Sequence, residues 1–344
     1  MKYSQISLLK FIAFITVVFY HCAMPFDIEH YYWRVYSPNT LPYLKSYIEF
    51  VGYFCVPAFL FCSGFLFCHS VIGKEKDTKY LLKSKTKRLI VPYLKVGIFY
   101  FVPMYFIFKV PVFAHAIEDD IFTSYLNFFK GDFVDHLWFI HILFFSTLFW
   151  IVFKTLLEKR SLILGLIVAS CAYYTIVTYL MPLEYYHFNY ISGPILYMYL
   201  GALVYQFKTI FDKTIFCLFT LVICALTIGI LFSIYHKTYD FPGVAISLLM
   251  GLFMYTLLKL IPARIYTLIE NISFYKFIET RALEVYVYHM PIPLIMQLYL
   301  YDYFLKLNLP PIAFIPLNAI ATILITCALV KAIELVKKHL SNLV

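Results

Sequence analysis

Long apolar runs, separated by short charged loops, set the pattern of this chain. Nine stretches contain no Asp, Glu, Lys or Arg: Phe11 to Phe26, Phe50 to Gly73, His136 to Phe153, Ser161 to Leu183, Tyr185 to Phe207, Thr214 to His236, Phe241 to Leu258, Val285 to Tyr301 and Leu307 to Val330. A tenth, Leu89 to Phe108, is broken only by Lys95. Crossing the hydrocarbon core as a helix takes roughly 20 apolar residues, so the pattern predicts an all-α polytopic membrane bundle of about ten transmembrane helices. Little chain is left over. The sizeable loops are Asp27 to Glu49, the basic loop before Arg88, Lys109 to Asp135 and Lys259 to Glu284. With no internal repeat, low-complexity stretch or long linker, residues 1–344 read as one transmembrane domain without a soluble domain.

Composition strengthens that reading. Hydrophobic residues make up 62% of the 344 and charged ones 14%, against about 45–50% and about 25% in ordinary soluble domains. The mean hydropathy is +0.80. A soluble globule cannot hide so much apolar surface, and a disordered chain or collagen-like fibre is excluded as well. The 32 Tyr and 36 Phe suit lipid-facing bulk and interfacial belts.

The net charge of +9 would suggest nucleic acid if it were clustered on a soluble face. Instead it alternates along the chain. From His69 to Arg88 seven basic residues face two acidic ones, from Lys109 to Asp135 two face five, and from Lys154 to Arg160 three face one. Excess Lys and Arg mark cytoplasmic loops, so both termini are expected inside. Nucleic acid is not an expected partner; membrane lipids are. Lys2 and Lys10 ahead of an apolar run imitate a secretory signal, but no small-residue cleavage pattern follows, and the segment reads as an uncleaved first helix. The eight cysteines lie in or at the ends of apolar runs without a Cys-x-x-Cys pair, which favours packing over a disulfide framework or a metal site.

Ionisable side chains inside a bilayer are costly, so each one is a functional candidate. Lys10 and His21 are eleven residues apart, which on an α-helix is three turns plus roughly 20° and a rise of about 16 Å. They share a face, with Lys10 near the cytoplasmic end. Snorkelling of Lys10 to head groups and a structural hydrogen bond at His21 are the bland alternative. Lys85 and Arg88, three residues apart where the basic loop enters the third run, could grip phosphates from one helix face. Positive-inside anchoring would look the same. Lys95, two turns deeper, either snorkels back or lines the same cavity. His136, Trp138 and His141 open the fourth run; the two histidines differ by about 140° round a helix, so they are not a metal pair, and one of them could face the cavity. His289 lies just before Pro291, where a structural hydrogen bond competes with catalysis. Glu184, His187, His236 and Asp240 read as solvated loop groups.

Together these residues resemble the acyltransferase family 3 membrane proteins. Lys10 and His21 match the family's basic residue, ten intervening residues, then His. Val56 to Leu66, with Ser63-Gly64-Phe65-Leu66, match its Phe-x-x-x-Ser-Gly-Phe-Leu-like second helix. Lys85 to Arg88 followed by Pro92-Tyr93 match Arg-x-x-Arg ahead of Pro-Tyr, Leu137-Trp138-Phe139 match a Leu-Trp-Phe helix start, and Val285 to His289 match a late Ile-Tyr-x-x-His-like segment. The five occur in family order along essentially the whole chain. The departures are Lys85 in place of the first Arg and no Asp before Lys10.

The resemblance implies a membrane O-acyltransferase that takes an acyl group, acetyl above all, from cytoplasmic acetyl-coenzyme A to a hydroxyl of a sugar, cell-surface polysaccharide or lipid-linked glycan. It implies a bacterial inner-membrane setting and an accessory envelope protein for large acceptors. On that reading His21 is catalytic, as general base or as acyl carrier; Lys10, Lys85, Arg88 and Lys95 serve the coenzyme; Trp138, His141 and His289 serve the acceptor; no metal is required. The rival is a transporter or flippase for a lipid-linked sugar, which would carry paired inverted repeats and broken helices in both halves.

Overall fold

The computed structural model describes residues 3–26, 41, 43–101, 103, 120–130, 135–176, 192–234 and 241–341. It is 89% helical without strands among them, so the all-α reading holds. The chain is a polytopic membrane protein. Among the described residues, five helices are long and apolar enough to cross a membrane: Ser4–Phe26, Leu44–Gly73, Thr214–Ile234, Pro242–Lys259 and Pro311–His339. The Thr214–Ile234 helix carries exposed Ile215, Phe219, Leu226 and Ile234 along one side. Only lipid can cover such a helix without cost, because an aqueous surface would leave each of these side chains hydrated.

The other five expected spans are shorter or divided. Trp138–Val152 and Leu162–Thr175 are short apolar helices, and Ser192–Gln206 follows residues outside the description. The run expected from Leu89 to Phe108 is a chain of pieces: a π-turn at Thr86–Ile90, an α-helix at Val91–Val96 and a second π-turn at Gly97–Phe101. Pro92 supplies no N–H at the start of that piece, and the wider i→i+5 turns flank it. The run expected from Val285 to Tyr301 is two helices, Ala282–Tyr288 and Ile292–Lys306, parted at His289-Met290-Pro291. Pro291 cannot donate to the preceding turn and its ring crowds the carbonyl four residues back, so the helix restarts there.

The core is one buried apolar cluster reaching from Ile6 to Val330. Its tightest seam joins the helices Leu44–Cys68 and Ser192–Gln206. A Cβ on Gly64 would overlap the backbone of Met198, and one on Gly201 the backbone of Phe61. Two glycines facing opposite backbones let the helices approach to contact, which is how association is won where the solvent is itself apolar. The Ser63-Gly64-Phe65 motif therefore has a packing role, with the Phe65 ring 5.2 Å from Tyr205 and 5.0 Å from Tyr3. Next to the seam, Trp150 stacks on Tyr199 at 5.0 Å and donates its indole N–H to the Ile195 carbonyl at 3.2 Å. Cys22, Cys55, Cys62, Cys68, Cys217 and Cys224 are buried thiols, Cys327 is half-buried and Cys171 is exposed.

On the basic-loop side, Asp77 caps the Thr78–Lys85 helix by accepting from the Tyr80 N–H at 2.6 Å. This cap fixes where the loop ends and the helix carrying Lys85 begins. The amphipathic helices Ala263–Asn271 and Ser273–Thr280 replace the Lys259 to Glu284 loop. Glu184, His187, His236 and Asp240 lie outside the described residues, as does most of the loops Asp27 to Glu49 and Lys109 to Asp135.

Candidate functional site

His21 occupies the last turn of Ser4–Ala23 and is half-buried. Two further imidazoles meet it there. The His289 ring lies 5.3 Å from His21, and the His136 ring 5.6 Å from His289. Both newcomers are buried, at 0% and 2% exposure, and half-buried His21 is the least buried of the three. Among the described residues no group of three or more His, Cys, Asp or Glu has the geometry to hold a metal ion.

Backbone carbonyls hold the two buried rings. His136 sits in the 3-10 turn Asp135–Leu137 and donates its Nε2–H to the Val287 carbonyl at 3.2 Å. In return the Tyr286 hydroxyl donates to the His136 carbonyl at 2.7 Å. This reciprocal pair clamps two segments 150 residues apart in sequence. His289, at the end of the Ala282–Tyr288 helix, donates its Nδ1–H to the Tyr286 carbonyl. Carbonyls only accept, so each ring nitrogen facing one carries the proton and the opposite nitrogen keeps its lone pair. Those opposite nitrogens, Nδ1 of His136 and Nε2 of His289, have no partner. Phe14 edges onto His289 at 6.2 Å and Phe101 onto His136 at 5.0 Å, which walls the group with aromatic surface.

His141 is not part of this group. Its ring lies 4.3 Å from Tyr93, which stacks on Phe128 at 4.7 Å and donates to the Phe128 carbonyl at 2.9 Å. Trp138, half-buried, lies 6.5 Å from Phe139, whose ring in turn is 5.3 Å from Tyr286. Of the two histidines opening this region, His136 is the one that faces His21 and His289.

At the other end of the first helix the cations gather. Lys85 is half-buried, and burial, then the positive charges of Arg88 and Lys10, lower its pKa to about 8. Three cations thus converge where loop, first helix and third helix meet, an arrangement that a phosphate group would relieve. Lys95 lies with Arg88, Val91 and Phe99 on an exposed side of this segment, about two turns deeper than Arg88, a position from which a lysine can snorkel.

Two features carry no signal in the sequence. Near the start of the first helix His69, Tyr205, Tyr3 and Lys208 form a cluster: His69 Nδ1 is 3.1 Å from the Tyr205 hydroxyl, and the Lys208 ammonium lies 4.4 Å over the Tyr205 ring. Gln297 is 4% exposed with neither its amide oxygen nor its nitrogen partnered. Both depend on residues drawn from distant segments, which spacing does not reveal.

A family model described as an acyltransferase domain matches residues 3–331, nearly the whole chain. No curated protein and no solved structure matches.

Proposed function

The chain belongs to the acyltransferase 3 family, and from that premise we propose that this membrane acyltransferase draws an acetyl group from cytoplasmic acetyl-coenzyme A and places it on a hydroxyl of a glycan acceptor. Lys85, Arg88 and Lys10 take the coenzyme's phosphates. The pantetheine arm then runs along the first helix toward His21. The observation that carries this reading is one uninterrupted helix, Ser4–Ala23, with Lys10 at one end, where Lys85 and Arg88 from the basic loop add their charge, and the half-buried His21 on the same face a rise of about 16 Å away, a distance that a long thioester arm bridges and a small donor does not.

The reaction follows from those positions. His21 takes the proton of the acceptor hydroxyl as its oxygen attacks the thioester carbonyl; the C–O bond forms, the C–S bond breaks, and the coenzyme leaves as thiolate, to be reprotonated. Imidazole suits the task because its charge change lies near neutral pH. Both termini and the basic loop lie on the cytoplasmic side of the plasma membrane, which puts the donor end inside and the imidazoles toward the outer face. Trp138, next to Phe139 and Tyr286, borders the acceptor's approach.

Transfer tests this directly. Membranes containing the protein, supplied at the cytoplasmic face with acetyl-coenzyme A labelled in its acetyl carbon, should deposit base-labile label on envelope glycan. Membranes with His21→Ala should not. Equal labelling in the two contradicts the assignment of His21, and no labelling by wild type contradicts the reaction.

A further inference from the structure

The three imidazoles are more than one base needs. Resting on the acyltransferase reading, the unexplained fact is that His289 is 0% exposed yet leaves a ring nitrogen, Nε2, without a partner. In hydrocarbon an unsatisfied buried polar atom is costly. Its other nitrogen is fixed as N–H by the Tyr286 carbonyl, so the open nitrogen is a base. His136 repeats the arrangement one ring further on: Nε2–H to the Val287 carbonyl, Nδ1 open. The ring centroids lie 5.3 and 5.6 Å apart, and the open nitrogens are not hydrogen-bonded to one another, so transfer between successive rings requires one ring to turn toward the next.

We propose that His289 takes up the proton that His21 removes from the acceptor hydroxyl, and holds it, next to His136, until it returns through His21 to the departing thiolate. His289 is a positioning and proton-holding residue that acts through His21 and does not touch the acceptor. The balance is complete without a co-reactant. The hydroxyl proton passes to His21 and on to Nε2 of His289 while the C–O bond forms and the C–S bond breaks; the same proton ends on the coenzyme sulfur. Holding it one ring away leaves His21 neutral while the acceptor oxygen attacks. It also explains why the carbonyl contacts of His289 and His136 both leave a lone pair, and not an N–H, on the second nitrogen.

The test uses the purified full chain in detergent, acetyl-coenzyme A as donor and water as acceptor, reading release of the coenzyme thiol and binding of acetyl-coenzyme A. His289→Asn keeps a side-chain N–H for the Tyr286 carbonyl and removes the second nitrogen. We expect kcat to fall by about 100-fold or more, the size of a lost proton-transfer contribution, with KM and binding unchanged. A kcat close to wild type shows that the carbonyl contact alone is needed and overturns the proposal, as does a loss of binding in step with kcat. Should His289→Asn not fold, the wild type decides: thiol release in mixtures of light and heavy water should fall along a curve, because two protons are in flight, and a straight line overturns the relay. Wild type that neither binds nor cleaves acetyl-coenzyme A overturns the donor reading itself, an outcome distinct from a wild type that turns over and a His289→Asn that equals it.

Discussion

The two ends of the first helix solve opposite problems. Around Lys10 the groups are charged, lie at half-buried or exposed positions and repel one another, with Lys85 held between Arg88 and Lys10. Around His21 they are aromatic, packed, and fixed by backbone carbonyls. A cation cluster waits for an anion and can adjust to it; fixed tautomers cannot adjust, and do not need to. On the proposed reading the difference is a division of labour, with recognition of the donor where the side chains are charged and partly exposed, and proton transfer where they are packed and held by backbone carbonyls.

The largest effect that separates the ends is expected from His21→Ala. It should lower acetyl-coenzyme A turnover by about 10²–10⁴-fold while calorimetric binding stays at the wild-type value. Arg88→Ala is the counterpart. Loss of charged hydrogen bonds to phosphate is worth roughly 1.5–3 kcal/mol, so the dissociation constant should rise about 10- to 100-fold, with turnover at saturating donor retained.

A pH series sharpens the contrast at somewhat smaller scale. Below the lowered Lys85 pKa of about 8 the ammonium is already charged in the free protein and donor affinity should be flat. Above it, the bound phosphate favours the charged form and binding takes up a proton, so affinity should fall by up to about tenfold per pH unit. Lys85→Arg keeps its charge throughout and should flatten that slope. The smallest effect is expected from Lys95→Gln. On its exposed face it should change donor affinity by less than about twofold, and a loss as large as that of Arg88→Ala would move the cation cluster deeper into the third helix.

How legible the site was depended on whether the chain stayed helical. Lys10 and His21 could be placed on one face because Ser4–Ala23 is an uninterrupted helix, so residue number translates into angle. The same arithmetic at His136 and His141 correctly separated the two but could not choose between them, because His136 sits in a 3-10 turn before the α-helix begins. Its partners, Val287 and Tyr286, come from the far end of the chain. His289 stood out as an ionisable group in an apolar run, yet its orientation depends on a carbonyl three residues back. Lys85 and Arg88 were visible as a pair, while the convergence of Lys10 on them required the tertiary fold. The Gly64 motif was visible as a pattern. Its meaning was not, since Gly201 and Met198 supply the other half of the seam.

The most direct measurement of this division of labour is acetyl-coenzyme A binding and thiol release, in parallel, by purified wild type, His21→Ala and Arg88→Ala. The expected result is a double separation: His21→Ala binds without turning over, and Arg88→Ala binds weakly but turns over once saturated. If His21→Ala loses binding as severely as Arg88→Ala, or turns over like wild type, the two ends are not separate recognition and reaction sites.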